Sequence, residues 1–584
     1  VVEYLFMLLA VLSTASLSSA AAKATSDAAI SPVPMYDIHR AKANVVAQLR
    51  RAVQAADQHP LLLHKLDGRL AVVIEPRTDS QPPRVLIPAD AADESGVPFH
   101  EKNKGFLLMF LGYLNVLAAG RWCARTDLGI EALPPGPVAF TFHGGAGGCV
   151  TSSLLDNCTR TPTLIIGNDP IRLSRLAAGS TGGILTPNPY FGHPDQWSKL
   201  FHDVRRAGLR AGINERREWR AFYRGGISYS THKWCPPLDR GVSSSGSWPR
   251  LAAAALTCTQ PATFDARTDN QDYTRFNVPK LLGLNCTRAA RQRWGLEAVF
   301  AEVDAWERQK LDHDGGNGGC CFCRNGASAY YNKTDKEDYA KYPVVLNLPG
   351  STTAHYSRNL NHLWATGAAV VTWNRTPPPR EPTADGAPSS ADATTLFREW
   401  YYAGLTDGET HVEVGSPEEL RVAVNALLRR DSQQAKKRRQ RLSEAAQLVA
   451  DHLLCPCCLA AHYSQLLDAL WAQQSAHAKG MAQLMSDFAR RTGSGGWREC
   501  QIESNKATCR TIRAPRVVLA APQFPTHNPP RARRLPTQAR PARTATPDSL
   551  NRSHAARHLH ASPAWPLASM PTSTPPVAPD AAAA

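Results

Sequence analysis

Between two short apolar runs, Val344-Val345-Leu346-Asn347-Leu348 and Ala368-Ala369-Val370-Val371-Thr372-Trp373, the chain reads Pro349-Gly350-Ser351-Thr352-Thr353. Glycine lets a backbone approach a ligand closely, and three hydroxyls add hydrogen-bond donors. Where such a turn opens a helix, the unpaired N–H groups of the first helical turn face the same way, and together they suit a phosphate. The flanking runs are short and β-branched, as buried strands are, and Leu360, Leu363 and Trp364 fall at helical spacing between them, with Gly367 placed as a stop. The stretch is therefore expected to be a βαβ unit whose turn lies at the carboxyl edge of a parallel sheet. A plainer reading, a core βαβ unit with a polar N-capping turn, stays open.

Other chemistries lack their anchors. No G-x-x-x-x-G-K-[ST], no G-x-G-x-x-G after a strand and no H-E-x-x-H occurs, which removes the signatures of NTPases, dinucleotide enzymes and zincins. His143-Gly144-Gly145 is like the oxyanion loop of an α/β-hydrolase, but the G-x-S-x-G elbow that would expose a nucleophile is missing. In the clusters Cys320-Cys321-x-Cys323 and Cys455-x-Cys457-Cys458 disulfides or surface thiols are expected and not a zinc site, because an oxidising compartment pairs thiols.

The formal net charge is +16, yet its placement argues against nucleic acid. From Arg510 to Ala584 there are ten Arg, no Lys and two Asp, so this segment supplies 10 − 2 = +8, half of the total. Rich in Pro, Ala, Thr and Ser and without apolar period, it reads as a disordered tail over 505–584. The basic run Lys436-Lys437-Arg438-Arg439-Gln440-Arg441 continues into an amphipathic pattern and reads as the solvated face of a helix, with no interleaved aromatics to stack on bases.

A lumenal or secreted protein is expected on three grounds. Residues 1–20 carry a short apolar run followed by small residues, like a signal peptide. Five N-x-S/T acceptors begin at Asn157, Asn285, Asn332, Asn374 and Asn551, and there are fourteen cysteines. The run Gly105 to Gly120 is shorter than the roughly 20 residues of a membrane helix and reads as a core helix, so no membrane span is expected.

The elements that must position the turn follow along the chain. A helix is expected near 40–58, strands at Leu70 to Glu75, Val138 to Phe142 and Thr163 to Gly167, helical pattern near 197–220, then the βαβ unit, and helices at about 416–430 and 432–475. Strands and helices alternating in two blocks imply two α/β domains. The blocks are placed at 35–195 and 196–475.

Several short segments share an order that resembles glycosyltransferase family 90, the Rumi-like protein O-glucosyltransferases and capsule-associated xylosyltransferases. They are Ile165-Ile166-Gly167-Asn168-Asp169-Pro170 as a strand closing in D-x-P, Tyr223-Arg224-Gly225-Gly226 as an aromatic-Arg-Gly strand end, the turn from Gly350 to Thr353 with Ser357-Arg358 at the helix start, Glu399-Trp400-Tyr401-Tyr402, and His411-Val412-Glu413-Val414. The resemblance spans roughly residues 140 to 475.

It implies two Rossmann-like domains facing a cleft, the GT-B arrangement, with an N-terminal acceptor side and a C-terminal donor side. It implies UDP-glucose or UDP-xylose as donor, a hydroxyl on a protein or glycan as acceptor, inversion at the sugar, no obligatory metal or cofactor, and residence in the endoplasmic reticulum or Golgi lumen or outside the cell. Asp169 falls at the family's catalytic base. Arg224, Gly225, Gly226, Gly350, Ser351, Thr352, Thr353, Ser357, Arg358 and Glu399 fall on donor-binding positions, where an arginine fork and helix-start N–H groups would hold a diphosphate. Two rivals remain: a catalytically inactive sugar- or glycoprotein-binding relative, and an interaction protein acting through its basic tail.

Overall fold

The computed structural model describes residues 36–56, 70–77, 82–91, 101–119, 133–144, 162–167, 183–210, 212–216, 218–226, 247–269, 330–331, 334–349, 360–373, 399–476, 497–503 and 506–512. The chain divides into two compact units, Val1–Pro522 and Gln523–Ala584, and every described residue belongs to the first. The signal-like segment, all five Asn acceptors and Cys320 to Cys323 lie outside the described residues.

The first element is helix α1, Ile38–Ala55. Asp37 caps it by accepting from the His39 and Arg40 amides, and Ala41, Val45, Leu49, Ala52 and Val53 form its buried stripe at spacings of three and four. Strands β1 (Leu70–Glu75) and β2 (Arg84–Pro88) follow, then helix α2 (Glu101–Ala119), the expected core helix, with Phe106, Phe110 and Tyr113 fully buried. Strands β3 (Val138–His143), β4 (Thr163–Ile165) and β5 (Ile184–Leu185) complete this part. Helix α3 (Pro194–Leu209) leads to β6 (Ala221–Gly225), helix α4 (Ser247–Thr259), β7 (Phe264–Asp269) and β8 (Tyr330–Tyr331). The βαβ unit is present as β9 (Val344–Asn347), a short helix α5 (Leu360–Leu363) and β10 (Ala369–Trp373), with Gly367 in the left-handed region at φ 60° as the stop. After β11 (Val412–Val414) come helices α6 (Pro417–Leu428), α7 (Gln433–Val449) and α8 (Pro456–Ala476). Strands β12 (Trp497–Glu503) and β13 (Lys506–Ile512) end the described chain.

These strands make two sheets within a mixed α/β unit. One has seven strands in the order β13-β12-β2-β1-β3-β4-β5. It is antiparallel from β13 to β3 and parallel only across β3, β4 and β5. The other has six, all parallel, in the order β11-β10-β9-β6-β7-β8. In chain order the six-stranded sheet grows outwards from β6 to β8, then returns to the other side of β6 and grows from β9 to β11. Its strand order therefore reverses between β6 and β9, the kind of point at which open α/β sheets bind ligands outside the carboxyl ends of their strands.

Both faces of this sheet are covered, which is why its strands read as unbroken apolar runs and not as alternations. Phe222, Val345 and Val370 join one large cluster that also holds β1, β3, α1, α2 and α8. Tyr223, Leu346 and Val371 join a second, smaller cluster with α4 and α6.

Two features depart from the sequence expectation. The segment 432–475, expected as one long helix, is broken by a π-helical turn over Ala450–Leu454 and a bend of 51° at Cys455. Pro456 lacks an N–H and pushes Cys455 out of the helical region, so α8 has to start afresh. Secondly, the hairpin β12-β13 returns to the edge of the first sheet, with Cys500 bonded to Cys509 across it. The expected start of the tail, at 505, falls between its two strands. Among the described residues no single helix is long and apolar enough to cross a membrane.

Candidate functional site

Arg224 is the fourth residue of β6, and its guanidinium rests over the Phe222 ring at 4.1 Å. One nitrogen donates to the Tyr223 and Asp265 carbonyls at 2.8 and 2.5 Å, and another to the Asp265 carboxylate at 2.9 Å. Asp265 stands on β7, in register with Phe222. Its carboxylate also meets Arg267 at 2.7 Å and Arg220 at 3.5 Å and accepts from the Tyr342 hydroxyl at 2.9 Å. Burial alone would raise the Asp265 pKa, but hydrogen bonding and charge from Arg224, then Arg267 and Tyr342, outweigh it and hold the group below the usual carboxylate range. The fork expected to hold a diphosphate is thus turned towards Asp265, and Tyr339 fixes the strand end further by donating to the Arg224 carbonyl at 3.1 Å.

Gly225 is required here for space, because a Cβ would collide with the Tyr223 phenol. Beyond it, the strand ends on either side of the reversal are strapped together. Arg250, buried on α4, donates from Nε to the Pro349 carbonyl at 2.8 Å and from Nη1 to the Gly226 carbonyl. Gly226 follows β6 and Pro349 follows β9, so one guanidinium joins the two strand ends at the reversal and places a fixed positive charge beside the residue that precedes Gly350. Sequence reasoning did not single out Arg250 or Asp265. The only signal for Arg250 was an arginine at the start of an alanine-rich apolar helix, SWPRLAAAAL, where a buried cation needs a partner.

The far end of the βαβ unit is equally fixed. Arg216 donates to the carbonyls of Tyr342, Thr366 and Gly367 at 2.8, 2.7 and 2.9 Å, and Ser443 donates to the Gly367 carbonyl at 2.6 Å. These bonds satisfy the carbonyls that a left-handed helix end leaves open.

Glu399 belongs to a second polar group. It is fully buried, and Oε2 accepts from the Asn188 amide at 3.3 Å, while Oε1 has no partner among the described residues. Asn188 and Asn361 exchange amide hydrogen bonds at 3.3 and 3.5 Å, and Asn188 also caps the turn at Tyr190. Burial pushes the Glu399 carboxyl up to about 8, with the Asn188 bond only partly opposing it, so the group is largely protonated at neutral pH. Asn188 follows β5 of the first sheet, Asn361 opens the βαβ helix and Glu399 precedes β11. Elements of both sheets therefore meet at this carboxyl. His411, at the start of β11, pairs with Thr410 at 2.8 Å and Glu413 at 3.2 Å.

Of the residues singled out from sequence, Arg224, Gly225, Gly226 and Glu399 are described, and Asp169, Gly350, Ser351, Thr352, Thr353, Ser357 and Arg358 lie outside the described residues. Arg224, Gly225 and Gly226 gather at the reversal point with Arg250 and Pro349, and Glu399 lies with Asn188 and Asn361. No protein-family model matches this chain, and no curated protein matches it.

Proposed function

We propose that the chain is an inverting glycosyltransferase that moves glucose or xylose from a UDP-sugar to a hydroxyl on a protein or glycan in the secretory pathway. The observation that carries the reading is the six-stranded parallel sheet whose order, β11-β10-β9-β6-β7-β8, matches the doubly wound arrangement that binds nucleotides at its reversal point. The segments chosen for a diphosphate, Gly225-Gly226 and the turn opening at Gly350, leave the sheet from the two strands that flank that point. The order of the family-like segments along the chain supports the same reading; of the two sheets only the six-stranded one has a Rossmann-like order, since the seven-stranded sheet is antiparallel from β13 to β3.

In this mechanism Asp169 takes the proton of the acceptor hydroxyl. The oxygen attacks the anomeric carbon from the face opposite UDP, and the bond to the diphosphate breaks with its electron pair going to UDP. Backbone N–H groups and hydroxyls of Gly350 to Thr353, with Ser357 and Arg358, would stabilise the leaving charge. Arg250 ties the starts of the two loops together at Gly226 and Pro349 and supplies a positive charge there.

A second reading, a sugar- or glycoprotein-binding relative without transferase activity, draws support from Arg224, whose guanidinium is engaged by Asp265 and the backbone. Release of UDP from a panel of UDP-sugars separates the two. Turnover that falls by about two to four orders of magnitude in Asp169→Asn, with UDP binding kept, supports the transferase. UDP binding without turnover for every sugar replaces it with the binding protein. Absence of both defeats the nucleotide site.

A further inference from the structure

Helix α7 begins Gln433-Gln434-Ala435-Lys436-Lys437-Arg438-Arg439-Gln440-Arg441 and has no acid in its first turn. From Arg429 to Ser443 seven cations stand against one acid, Asp431. Both facts work against the helix, because cations near a helix start meet the positive end of its dipole, and like charges four residues apart, as at Lys437 and Arg441, repel. Other helices of this chain avoid the cost. On α3, Lys199 and Arg206 pair with Asp203 at 3.1 and 3.3 Å, and α6 opens with Glu418 and Glu419 and pairs Arg421 with Glu418. On α7, Lys437, Arg438 and Arg441 are exposed and make no ion pair among the described residues. The nearest acids along the chain are engaged by other groups: Asp431 lies 3.7 Å from Arg429, and Glu444 accepts from the Gln440 amide at 2.8 Å.

Lys437, Arg438 and Arg441 share one stripe, since steps of three and four residues return a helix to the same face. Lys437 and Arg441 are about 6 Å apart along the axis, in a row on a convex surface, which suits a chain of anions and not a single small one. The support beneath them is fixed. Arg439, fully buried, donates from Nη1 to the Leu427 and Arg429 carbonyls and from Nε to Asn214 at 3.0 Å. Its guanidinium lies 4.6 Å from the centre of the Trp219 ring, and that of exposed Arg430 lies 4.8 Å from it. The loop that carries Arg430 is thereby tied to α7.

We propose that this stripe, with Arg430, docks a linear sulfated polysaccharide. Sulfate esters stay ionised at any physiological pH, and an arginine fork meets their oxygens as it does those of phosphate. A nucleic acid fits less well, because the stripe carries no aromatic residue and the Trp219 ring is already engaged by two guanidinium groups. A bilayer fits less well, because the exposed large apolar residues among those described are Leu209 and Val422, neither of them on α7. The choice of a sulfated sugar among polyanions rests on the secretory-pathway reading above.

Four cations on a linear polyanion give a salt slope of about 2.8 by the single-strand relation, which is about a 50-fold loss of affinity between about 50 and 200 mM salt. The test titrates the full chain with a heparin oligosaccharide over that range. Lys437→Gln, Arg438→Gln and Arg441→Gln together should lower the slope by about two, and the unfolding midpoint should not fall, since all three side chains are exposed. A charge-matched variant of the basic tail, Arg531→Gln with Arg533→Gln and Arg534→Gln, should keep the slope. An α7 variant that binds heparin as the wild type does, or a tail variant that loses as much, overturns the site. Tighter binding of mixed-sequence duplex DNA or of phosphatidylserine vesicles at equal salt also overturns it, by making nucleic acid or membrane the occupant. UDP-sugar turnover, read on the same proteins, keeps the two proposals apart: heparin binding without turnover leaves this surface standing, and turnover without heparin binding removes it alone.

Discussion

Replacing Glu399 by glutamine tests the buried polar group directly, because it keeps the shape of the side chain and removes its ionisation. The Glu399 carboxyl rises from an ordinary 4.5 to about 8 in the folded chain. Between those values the folded state holds a proton that the unfolded state has lost. The linkage relation then makes stability fall as pH rises, by about 1.4 kcal/mol per pH unit. The contribution is complete below about pH 4.5, falls through the interval and is lost above about pH 8. The whole span is on the order of 5 kcal/mol, and at pH 7 the wild type gives up about 3 kcal/mol relative to a neutral isostere. Tyr401 and Tyr402, whose own pKa values are raised first by burial, stay neutral throughout and add no slope. Glu399→Gln should therefore be the more stable protein at pH 7 to 8, with the gap closing towards pH 5. Urea unfolding at several pH values for both proteins measures this. Parallel curves would show that Glu399 is ionised in the folded chain and that the carboxyl has partners beyond Asn188.

Three further expectations concern other parts of the structure. UDP at 100 times its dissociation constant should stabilise the wild type by about 2.7 kcal/mol, and Arg250→Ala should remove most of that shift by releasing Gly226 from Pro349; a shift that survives places the nucleotide elsewhere. A chain ended at 505 loses β13 and the Cys500–Cys509 bond, which should cost about 2–4 kcal/mol, while one ended after Ile512 keeps both and should melt like the full chain. Gly208→Ala directs a methyl group into the Thr366 carbonyl where α3 crosses the end of the βαβ unit, and a loss of about 1–3 kcal/mol is expected in the unfolding midpoint; an unchanged midpoint would mean that the two backbones separate without cost.

Elements governed by short-range rules were legible in the residues alone. The runs around Leu346 and Val371 are strands, Gly367 stops a helix and the run around Phe110 is a core helix, because burial on both faces and 3.6-residue spacing are written in consecutive residues. The sequence also marked Gly225, Gly226 and the turn after Pro349 as a place where backbone could meet an anion. The break at Cys455 was legible in Pro456 but was hidden by apolar periodicity on both sides. The hairpin from Trp497 to Ile512 was not legible, since its strands carry charged and polar residues on an edge and its turn residues lie next to a proline-rich tail. Which ends meet follows from the packing of the whole fold. Arg250 joins two loops separated by about 120 residues of chain, Asp265 holds Arg224, and Asn188 from the first sheet reaches Glu399 near the second. A buried charge or amide is satisfied by whatever partner the fold brings within 3 Å or so, and that partner is set by strand order across a sheet, to which local spacing along the chain is blind.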